Sequence, residues 1–197
     1  MVKTVSLLKE ELKEYSCPIN KINRMVKDGT LIPLVKGVYE TNRNAHPFTL
    51  ARSICSPSYI SFESALSYYG LIPERVYTIT SASMGKSKSK EYTNYFGTYT
   101  YKDIPARVYP LGVKIVEIGD KCYCQMATKE KAICDKLYKC YIVNNYKELE
   151  ELLFDNLRID WDTLIEDINI DDLKDIALHY HSNNVTLFYR YLKRKNK

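Results

Sequence analysis

The chain has 197 residues, of which 45% are apolar and 27% are charged, and its formal net charge at pH 7 is +5. This composition is typical of a globular protein with one core, and it excludes collagen-like and disordered classes. No run of about 18 apolar residues occurs and no apolar segment of a secretory signal follows Met1, so we expect a cytoplasmic protein without a membrane span.

Two helices are predicted near the start of the chain. Val5, Leu8 and Leu12 share one side of a helix over about 4–14. Pro18 suits the first turn of a second helix over 18–28, which ends at Gly29. In the second helix one arc of about 120° is apolar and the rest is polar. The apolar arc contains Ile19, Ile22, Met25 and Val26.

The polar side of the second helix has the chemistry that DNA recognition requires. Two short β runs, Leu31–Val35 and Gly37–Glu40, follow it with Lys36 at the hairpin tip, which is the order of a winged helix-turn-helix. Long cationic side chains reach phosphates and guanine edges, and amides pair with adenine edges. The alternative is an amphipathic helix whose polar face is only solvated. The candidate DNA-binding residues are Asn20, Lys21, Asn23, Arg24, Lys27 and Lys36.

The pattern from residue 45 onward predicts a mixed α/β body with a helical C-terminus. A short helix near Phe48–Ile54 precedes a second one with Ser61 as N-cap and Gly70 as its end. A helix over about 127–141, with Thr128 as N-cap, buries one side that includes Tyr141. Strands are predicted over 76–80, 96–101, 107–109, 113–118 and 122–126, with a polar loop over 84–91.

The six cysteines do not form a disulfide-rich pattern, which agrees with a reducing compartment. Cys122 and Cys124 could join His179 and His181 as four zinc ligands, because residues two apart on a strand share a face. In a helix, however, positions 179 and 181 diverge by about 200°. We therefore favour buried free thiols and expect no metal and no cofactor.

Charge is distributed unevenly along the chain. Residues 1–147 carry 22 Lys/Arg and 13 Asp/Glu, whereas residues 148–175 carry two Lys/Arg and eleven Asp/Glu. The acidic segment 148–175 is interpreted as solvated helix faces, with a protein-interaction surface for a basic partner as the alternative.

Three segments in this order resemble a known family. They are Gly29–Tyr39 (GTLIPLVKGVY), Tyr59–Pro73 (YISFESALSYYGLIP) and Ala127–Tyr138 (ATKEKAICDKLY). Together they resemble the AbiEi family, the antitoxins of type IV abortive-infection toxin–antitoxin systems. The middle segment is the most specific of the three.

The resemblance implies an N-terminal winged helix over 1–44 that binds inverted repeats in its own promoter, and a body over 45–197 needed for antitoxicity. It implies a cognate nucleotidyltransferase-like toxin that is countered without a stable complex. Binding to inverted repeats favours a homodimer. The resemblance also makes two residue groups family signatures, of structural or functional role: Ser61, Glu63 and Ser64, and Glu130, Lys131 and Asp135.

The start of the chain departs from the family pattern. A full helix normally precedes the helix-turn-helix pair, and here only three residues precede Thr4. If residues 4–14 form the positioning helix, the winged helix is shortened. Its apolar support would then come from the body or from a second subunit.

An enzymatic function is the alternative to a regulator. Glu63, Glu130 and Asp135 could gather with Lys131 as a metal-dependent nuclease or phosphotransfer enzyme requires. Against this, Glu63 and Glu130 lie in first helical turns, where the helix dipole explains them, and Lys131 and Asp135 form a routine i, i+4 pair. We therefore expect an α+β protein that is not an enzyme.

Overall fold

The computed structural model describes residues 1–119, 121–166 and 168–195. Over these residues the fold is α+β, with nine α-helices, one 3₁₀ helix, one π-helix and two β-sheets. Asp167, which belongs to the acidic segment, lies outside the described residues, as do the last two residues of the predicted body.

The N-terminal part combines three strands and two helices. Strand β1 (Val2–Thr4) is followed by α1 (Val5–Glu11), α2 (Pro18–Lys27), β2 (Ile32–Val35) and β3 (Val38–Glu40). The three strands form an antiparallel sheet in the order β1-β3-β2. Both helices begin as the sequence predicts, because Thr4 accepts the Leu7 N–H as N-cap and Pro18 occupies the first turn of α2. The strand over residues 2–4 was not predicted.

A small apolar cluster holds the two helices on this sheet. Its buried members are Leu8 of α1, Ile22 of α2 and Leu31, and half-buried side chains including Met25 and Val26 pack around them. The prediction for Ile19 is wrong, since this side chain is 40% exposed and is not part of the cluster. One fully buried residue is therefore the main apolar anchor of α2.

A six-stranded mixed sheet forms the centre of the body. Its order is β6-β7-β5-β4-β9-β8, with parallel pairing only of β5 with β7 and of β4 with β9. The strands are β4 (Ser58–Ile60), β5 (Ile79–Ser83), β6 (Lys90–Asn94), β7 (Gly97–Asp103), β8 (Val113–Glu117) and β9 (Tyr123–Ala127).

Helices pack on this sheet and complete the core. In chain order they are α3 (Pro47–Ile54), α4 (Phe62–Tyr68), the 3₁₀ helix (Ala106–Val108), α5 (Lys129–Lys139), α6 (Tyr146–Glu150), the π-helix (Glu151–Asn156), α7 (Trp161–Glu166), α8 (Ile170–Tyr180) and α9 (Asn183–Lys195). Apolar side chains at the predicted helical spacing are buried, as for Leu173, Ile176 and Tyr180 on α8 and Phe188 and Leu192 on α9.

The N-terminal sheet also contacts the body. Leu34 of β2 belongs to the core of the body rather than to the small cluster, and Val2, Val35 and Val38 pack against the same core. The Asn94 side chain donates a hydrogen bond to the Leu34 carbonyl at 3.2 Å. The body thus supplies apolar support to the N-terminal sheet within this one chain.

Several predicted element bounds are wrong, for tertiary reasons. The strand predicted over 107–109 is a 3₁₀ helix, in which Arg107 donates to the carbonyls of His179 and Tyr180 at the end of α8. The predicted loop over 84–91 contains the start of β6, because pairing with β7 outweighs its polar composition. Tyr141 is 59% exposed, since α5 ends two residues earlier.

Gly112 is the residue at which a turn requires glycine most clearly. Its φ is +62°, and a Cβ there would lie 2.8 Å from both Ile176 Cδ1 and Lys131 Cβ. The turn before β8 therefore packs directly on α5 and α8.

The small cluster gives a test of how α2 is held. We expect Ile22→Ala to destabilise the N-terminal part by about 2–4 kcal/mol, because it opens a cavity where few other apolar contacts exist. Ile19→Ala, a matched change at the exposed position, should cost less than about 0.5 kcal/mol. Hydrogen exchange of residues 1–44 measures both, and equal losses of protection would contradict the assignment.

Candidate nucleic-acid interface

The polar face of α2 is directed to solvent. Asn20, Asn23, Arg24 and Lys27 are exposed, and none of these side chains makes a hydrogen bond or ion pair within the described residues. Lys21 is half-buried because its ammonium lies 5.3 Å from the centre of the Tyr15 ring. The structure therefore brings five of the six predicted DNA-binding residues onto one helix face.

Lys36, the sixth predicted residue, is not on α2. It is exposed in the turn between β2 and β3. The Val5 N–H donates to the Gly37 carbonyl at 2.8 Å, which fixes this turn beside the start of α1. The hairpin is short, with only two residues between its strands.

Arg43 is a basic residue of this region that the sequence pattern did not indicate. Gly29, directly after α2, has a φ of +77°, and a Cβ at this position would lie 2.0 Å from Arg43 Nη2. The guanidinium therefore lies against the C-terminal end of α2. The feature of the sequence that could have indicated this contact is Gly29, because a residue without a side chain leaves room for the Arg43 guanidinium.

One carboxylate lies at the same end of α2. The pKa of Asp28 is below its ordinary value because the Thr30 hydroxyl and backbone N–H donate to it, with a smaller contribution from the charge of Lys21. Asp28 therefore stays ionised at neutral pH and holds the turn that leads into β2. Arg24 and Lys27 in the last turn of α2, together with Arg43 beside Gly29, outnumber this single carboxylate at the end of the helix.

Three of the predicted signature residues, Ser61, Lys131 and Asp135, lie together in a buried polar cluster in the body. Lys131 and Asp135 on α5 form an ion pair of 3.1 Å with no exposed side-chain surface. Asp135 also accepts hydrogen bonds from Ser61 at 2.6 Å, from Tyr59 at 3.0 Å and from Tyr180. Lys131 donates to the Val108 carbonyl and to the Tyr180 hydroxyl, each at 2.9 Å. The i, i+4 pair that the spacing predicts is thus formed, and it is fully buried.

Burial and the nearby carboxylate explain the acid–base state of the cluster. Burial raises the pKa of Tyr59 and of Tyr180 far above the ordinary phenol value, and the charge of Asp135 adds to both shifts. Both phenols therefore remain protonated and act as donors. Ser61 was predicted to cap α4, but it makes no capping hydrogen bond because its hydroxyl donates to Asp135.

The remaining signature residues have separate partners. Glu63 Oε1 forms ion pairs with Lys136 and, at 3.5 Å, with Lys102. Ser64 accepts the Thr80 N–H at 2.8 Å and donates to the Thr78 carbonyl, which fixes the start of β5. Glu130 accepts the Asn169 N–H at 2.9 Å, next to the start of α8. One oxygen of each carboxylate is thus engaged by protein contacts, whereas Glu63 Oε2 is buried without a hydrogen-bond partner among the described residues.

The structure does not assemble the proposed zinc ligands. Within residues 1–119, 121–166 and 168–195, no group of three or more His, Cys, Asp or Glu side chains could hold a metal ion. Cys124 is buried, which raises the pKa of its thiol to about 11, whereas His179 and His181 are exposed. All six cysteines are free thiols.

Comparisons with known proteins give no family assignment. No protein-family model matches the chain, and no curated protein matches it. In the part of the chain that the structure describes, no helix has the length and apolar character needed to cross a bilayer.

The buried pair gives a test by mutation. We expect Lys131→Met to lower the free energy of unfolding by about 3–5 kcal/mol, because it leaves the Asp135 carboxylate buried without its counter-ion. Adding Asp135→Asn to this variant removes that charge. The decrease in unfolding free energy of the double variant should therefore be smaller than the sum of the decreases of the two single variants. Urea unfolding measures all three, and a loss below about 0.5 kcal/mol for Lys131→Met would show a surface pair instead.

Glu63 gives a test by pH. Burial opposes its ionisation, but the hydrogen bond and charge of Lys136, together with Lys102, outweigh burial and place the pKa of Glu63 below its ordinary value of 4.5. Ionised Glu63 therefore contributes stability above that pH, and the contribution is lost as pH falls through the lower folded-state pKa. The difference in unfolding free energy between wild type and Glu63→Gln should shrink between about pH 6 and about pH 3. A difference that does not change with pH would contradict this.

Proposed function

We propose that the chain is an antitoxin of a type IV toxin–antitoxin system that binds double-stranded DNA and represses its own operon. The observation that carries the proposal is the face of α2. Its apolar side is held by the small cluster, while Asn23, Arg24 and Lys27 project into solvent without protein partners among the described residues. A basic face of this kind is the electrostatic footprint of a nucleic-acid-binding helix.

The order of the N-terminal elements supports the winged helix-turn-helix part of the proposal. The order β1-α1-α2-β2-β3 places two consecutive helices before a hairpin, and β1 completes the sheet beside β3. In this proposal α2 is the recognition helix, α1 crosses the phosphate backbone, and the short hairpin is the wing. The body, through Leu34, provides apolar support to the sheet that carries the hairpin.

Each polar residue has a distinct role in this proposal. Arg24 and Lys27 contact phosphates or guanine edges, and Arg43 extends the basic surface at the end of the helix. Asn20 and Asn23 supply the amides that pair with adenine edges. Lys36 contacts a phosphate next to the start of α1. A homodimer would place two α2 helices in successive major grooves of an inverted repeat.

The resemblance of the three segments to the AbiEi family supports the antitoxin part of the proposal. Two of these segments, Tyr59–Pro73 and Ala127–Tyr138, contribute Tyr59, Ser61, Lys131 and Asp135 to the buried polar cluster and form the ion pair of Glu63 with Lys136. Their role in this account is to hold the body together, which explains the carboxylates without catalysis. The cognate partner is a nucleotidyltransferase-like toxin in the cytoplasm, countered without a stable complex.

The DNA-binding part is tested by charge reversal with a matched control. We expect Arg24→Glu/Lys27→Glu to weaken binding to the chain's own promoter DNA by at least about tenfold, and to reduce the slope of log affinity against log salt by about 2, because two phosphate contacts are lost. Lys193→Glu/Arg194→Glu makes the same charge change on exposed residues of α9 and should alter the affinity by less than about threefold. Fluorescence anisotropy with labelled promoter DNA measures both.

Equal effects of the two pairs would contradict the assignment of α2, since they would show attraction to the whole basic body. The antitoxin part has a separate test. The proposal expects a gene for a nucleotidyltransferase-like protein next to the gene of this chain. Expression of that protein should arrest growth, and co-expression of this chain should restore it. Growth arrest that this chain does not relieve would contradict the antitoxin role.

A further inference from the structure

A cavity with aromatic walls lies between the start of α3, the segment before β5 and the turn between β6 and β7. Its volume is about 460 Å³, which is within the range of about 300–1,000 Å³ that is typical of small-molecule sites. We call this space the aromatic cavity. Its lining includes five rings and one guanidinium, those of His46, Phe48, Tyr68, Arg75, Tyr77 and Phe96.

Protein contacts hold several of these rings in place. His46 and Phe48 lie edge to face, with their ring centres 5.2 Å apart. The Tyr68 hydroxyl donates a hydrogen bond to the Glu117 carbonyl at 3.3 Å. Few side chains therefore have to be ordered when a ligand enters the cavity, which lowers the entropic cost of binding.

Much of the ring surface in the aromatic cavity remains in contact with solvent. Tyr77 is 80% exposed and Tyr68 is 43% exposed, while Phe48 and Phe96 are half-buried. Aromatic rings attract other rings in stacked and edge-to-face arrangements, and covering their apolar surface is favourable. A flat aromatic ring is therefore the chemistry that complements these walls.

Arg75 places a positive charge beside the rings. Its guanidinium carbon lies 5.5 Å from the centre of the Tyr77 ring, and the side chain makes no hydrogen bond or ion pair within the described residues. The neighbouring Glu74 is paired with Arg158 at 2.6 Å, and none of the described residues that line the cavity is acidic. The donors of Arg75 are therefore available to an anionic group of a ligand.

His46 supplies a second polar group to the aromatic cavity. Its Nδ1 accepts the Phe48 N–H at 3.2 Å as the N-cap of α3, so the proton of the neutral ring is on Nε2. Burial lowers the pKa of His46, which keeps the ring neutral at pH 7. Nε2 has no acceptor within the described residues, so this N–H is available to a polar substituent of a ligand.

We propose that the aromatic cavity binds a small planar aromatic carboxylate. The ring of the ligand packs among Phe48, Tyr77 and Phe96, and its carboxylate pairs with Arg75. Because the guanidinium adjoins the Tyr77 ring, the anionic group has to lie close to the ring of the ligand. A nucleotide fits less well, since a sugar separates its phosphate from its base. The site uses no residue of α2, so its test does not depend on the DNA-binding proposal.

The probe is 2-naphthoate, and 2-naphthylmethanol is the control because it keeps the ring system and lacks the charge. We expect 2-naphthoate to bind at least about tenfold more tightly than the control, because it alone pairs with Arg75. Adenosine monophosphate should bind more weakly than 2-naphthoate. Amide NMR shifts of the ¹⁵N-labelled protein measure the three affinities, and they should be largest over residues 46–48, 75–79 and 96–97.

Four outcomes of this titration would overturn the proposal. No shift at concentrations up to about 1 mM 2-naphthoate would show that the cavity does not bind the ligand. Shifts centred on residues 18–28 would show that the anion binds the basic face of α2 instead. Equal affinity of 2-naphthoate and 2-naphthylmethanol would exclude recognition of the charge. Tighter binding of adenosine monophosphate would indicate a nucleotide site.

Matched arginine variants test the charge of the site. Arg75→Gln should weaken 2-naphthoate binding at least about tenfold and should change the affinity for 2-naphthylmethanol by less than about twofold. Arg190→Gln removes the same charge from an exposed residue of α9 and should change neither affinity by more than about twofold. Equal weakening by the two variants would show general attraction of anions to a basic protein and would overturn Arg75 as the site.

Matched tyrosine variants test the aromatic wall. Tyr77→Ala should weaken the binding of both naphthalene ligands at least about fivefold, because both lose the same ring contact. Tyr123→Ala removes a ring that is 53% exposed on β9, outside the cavity, and should change neither affinity by more than about twofold. An unchanged affinity in Tyr77→Ala would overturn the cavity as the site. Far-UV circular dichroism confirms that each variant is folded.

Discussion

Lys131 and Asp135 lie one turn apart on α5, and neither side chain has exposed surface. Removing two charges from water is costly, and the cost is offset here because Lys131 donates two further hydrogen bonds and Asp135 accepts three. Tyr59 and Ser61 connect the pair to β4 and the start of α4, Tyr180 connects it to α8, and the Val108 carbonyl connects it to the 3₁₀ helix. One charged pair thus fixes four elements of the body relative to α5. The geometry of the body therefore depends on polar contacts as well as on apolar packing.

The N-terminal part is organised differently. Three buried residues, Leu8, Ile22 and Leu31, form its own cluster, and the rest of its apolar support comes from the body through Leu34. On the polar side of α2, Asn20, Asn23, Arg24 and Lys27 make no side-chain hydrogen bond or ion pair within the described residues.

The sequence predicted those features that depend on local pattern. The helix over 18–28, its exposed cations and the buried faces of α8 and α9 follow from apolar spacing, with Pro18 and Gly29 marking the ends of α2. Features that depend on tertiary contacts were missed. The i, i+4 spacing of Lys131 and Asp135 is the same on a surface helix and in a core, so spacing alone could not show their burial. Arg43 reaches α2 only because the chain returns to it after the hairpin. Ile19 has the right spacing for the core but lies outside the small cluster that forms it.

The central claim, that α2 enters a DNA groove, is tested most directly by hydrogen–deuterium exchange with and without promoter DNA. The account predicts increased protection of the peptides that cover residues 18–28 and of the turn around Lys36, with residues 150–166 unchanged. Protection of other segments by the same DNA, with exchange over 18–28 unchanged, would contradict it.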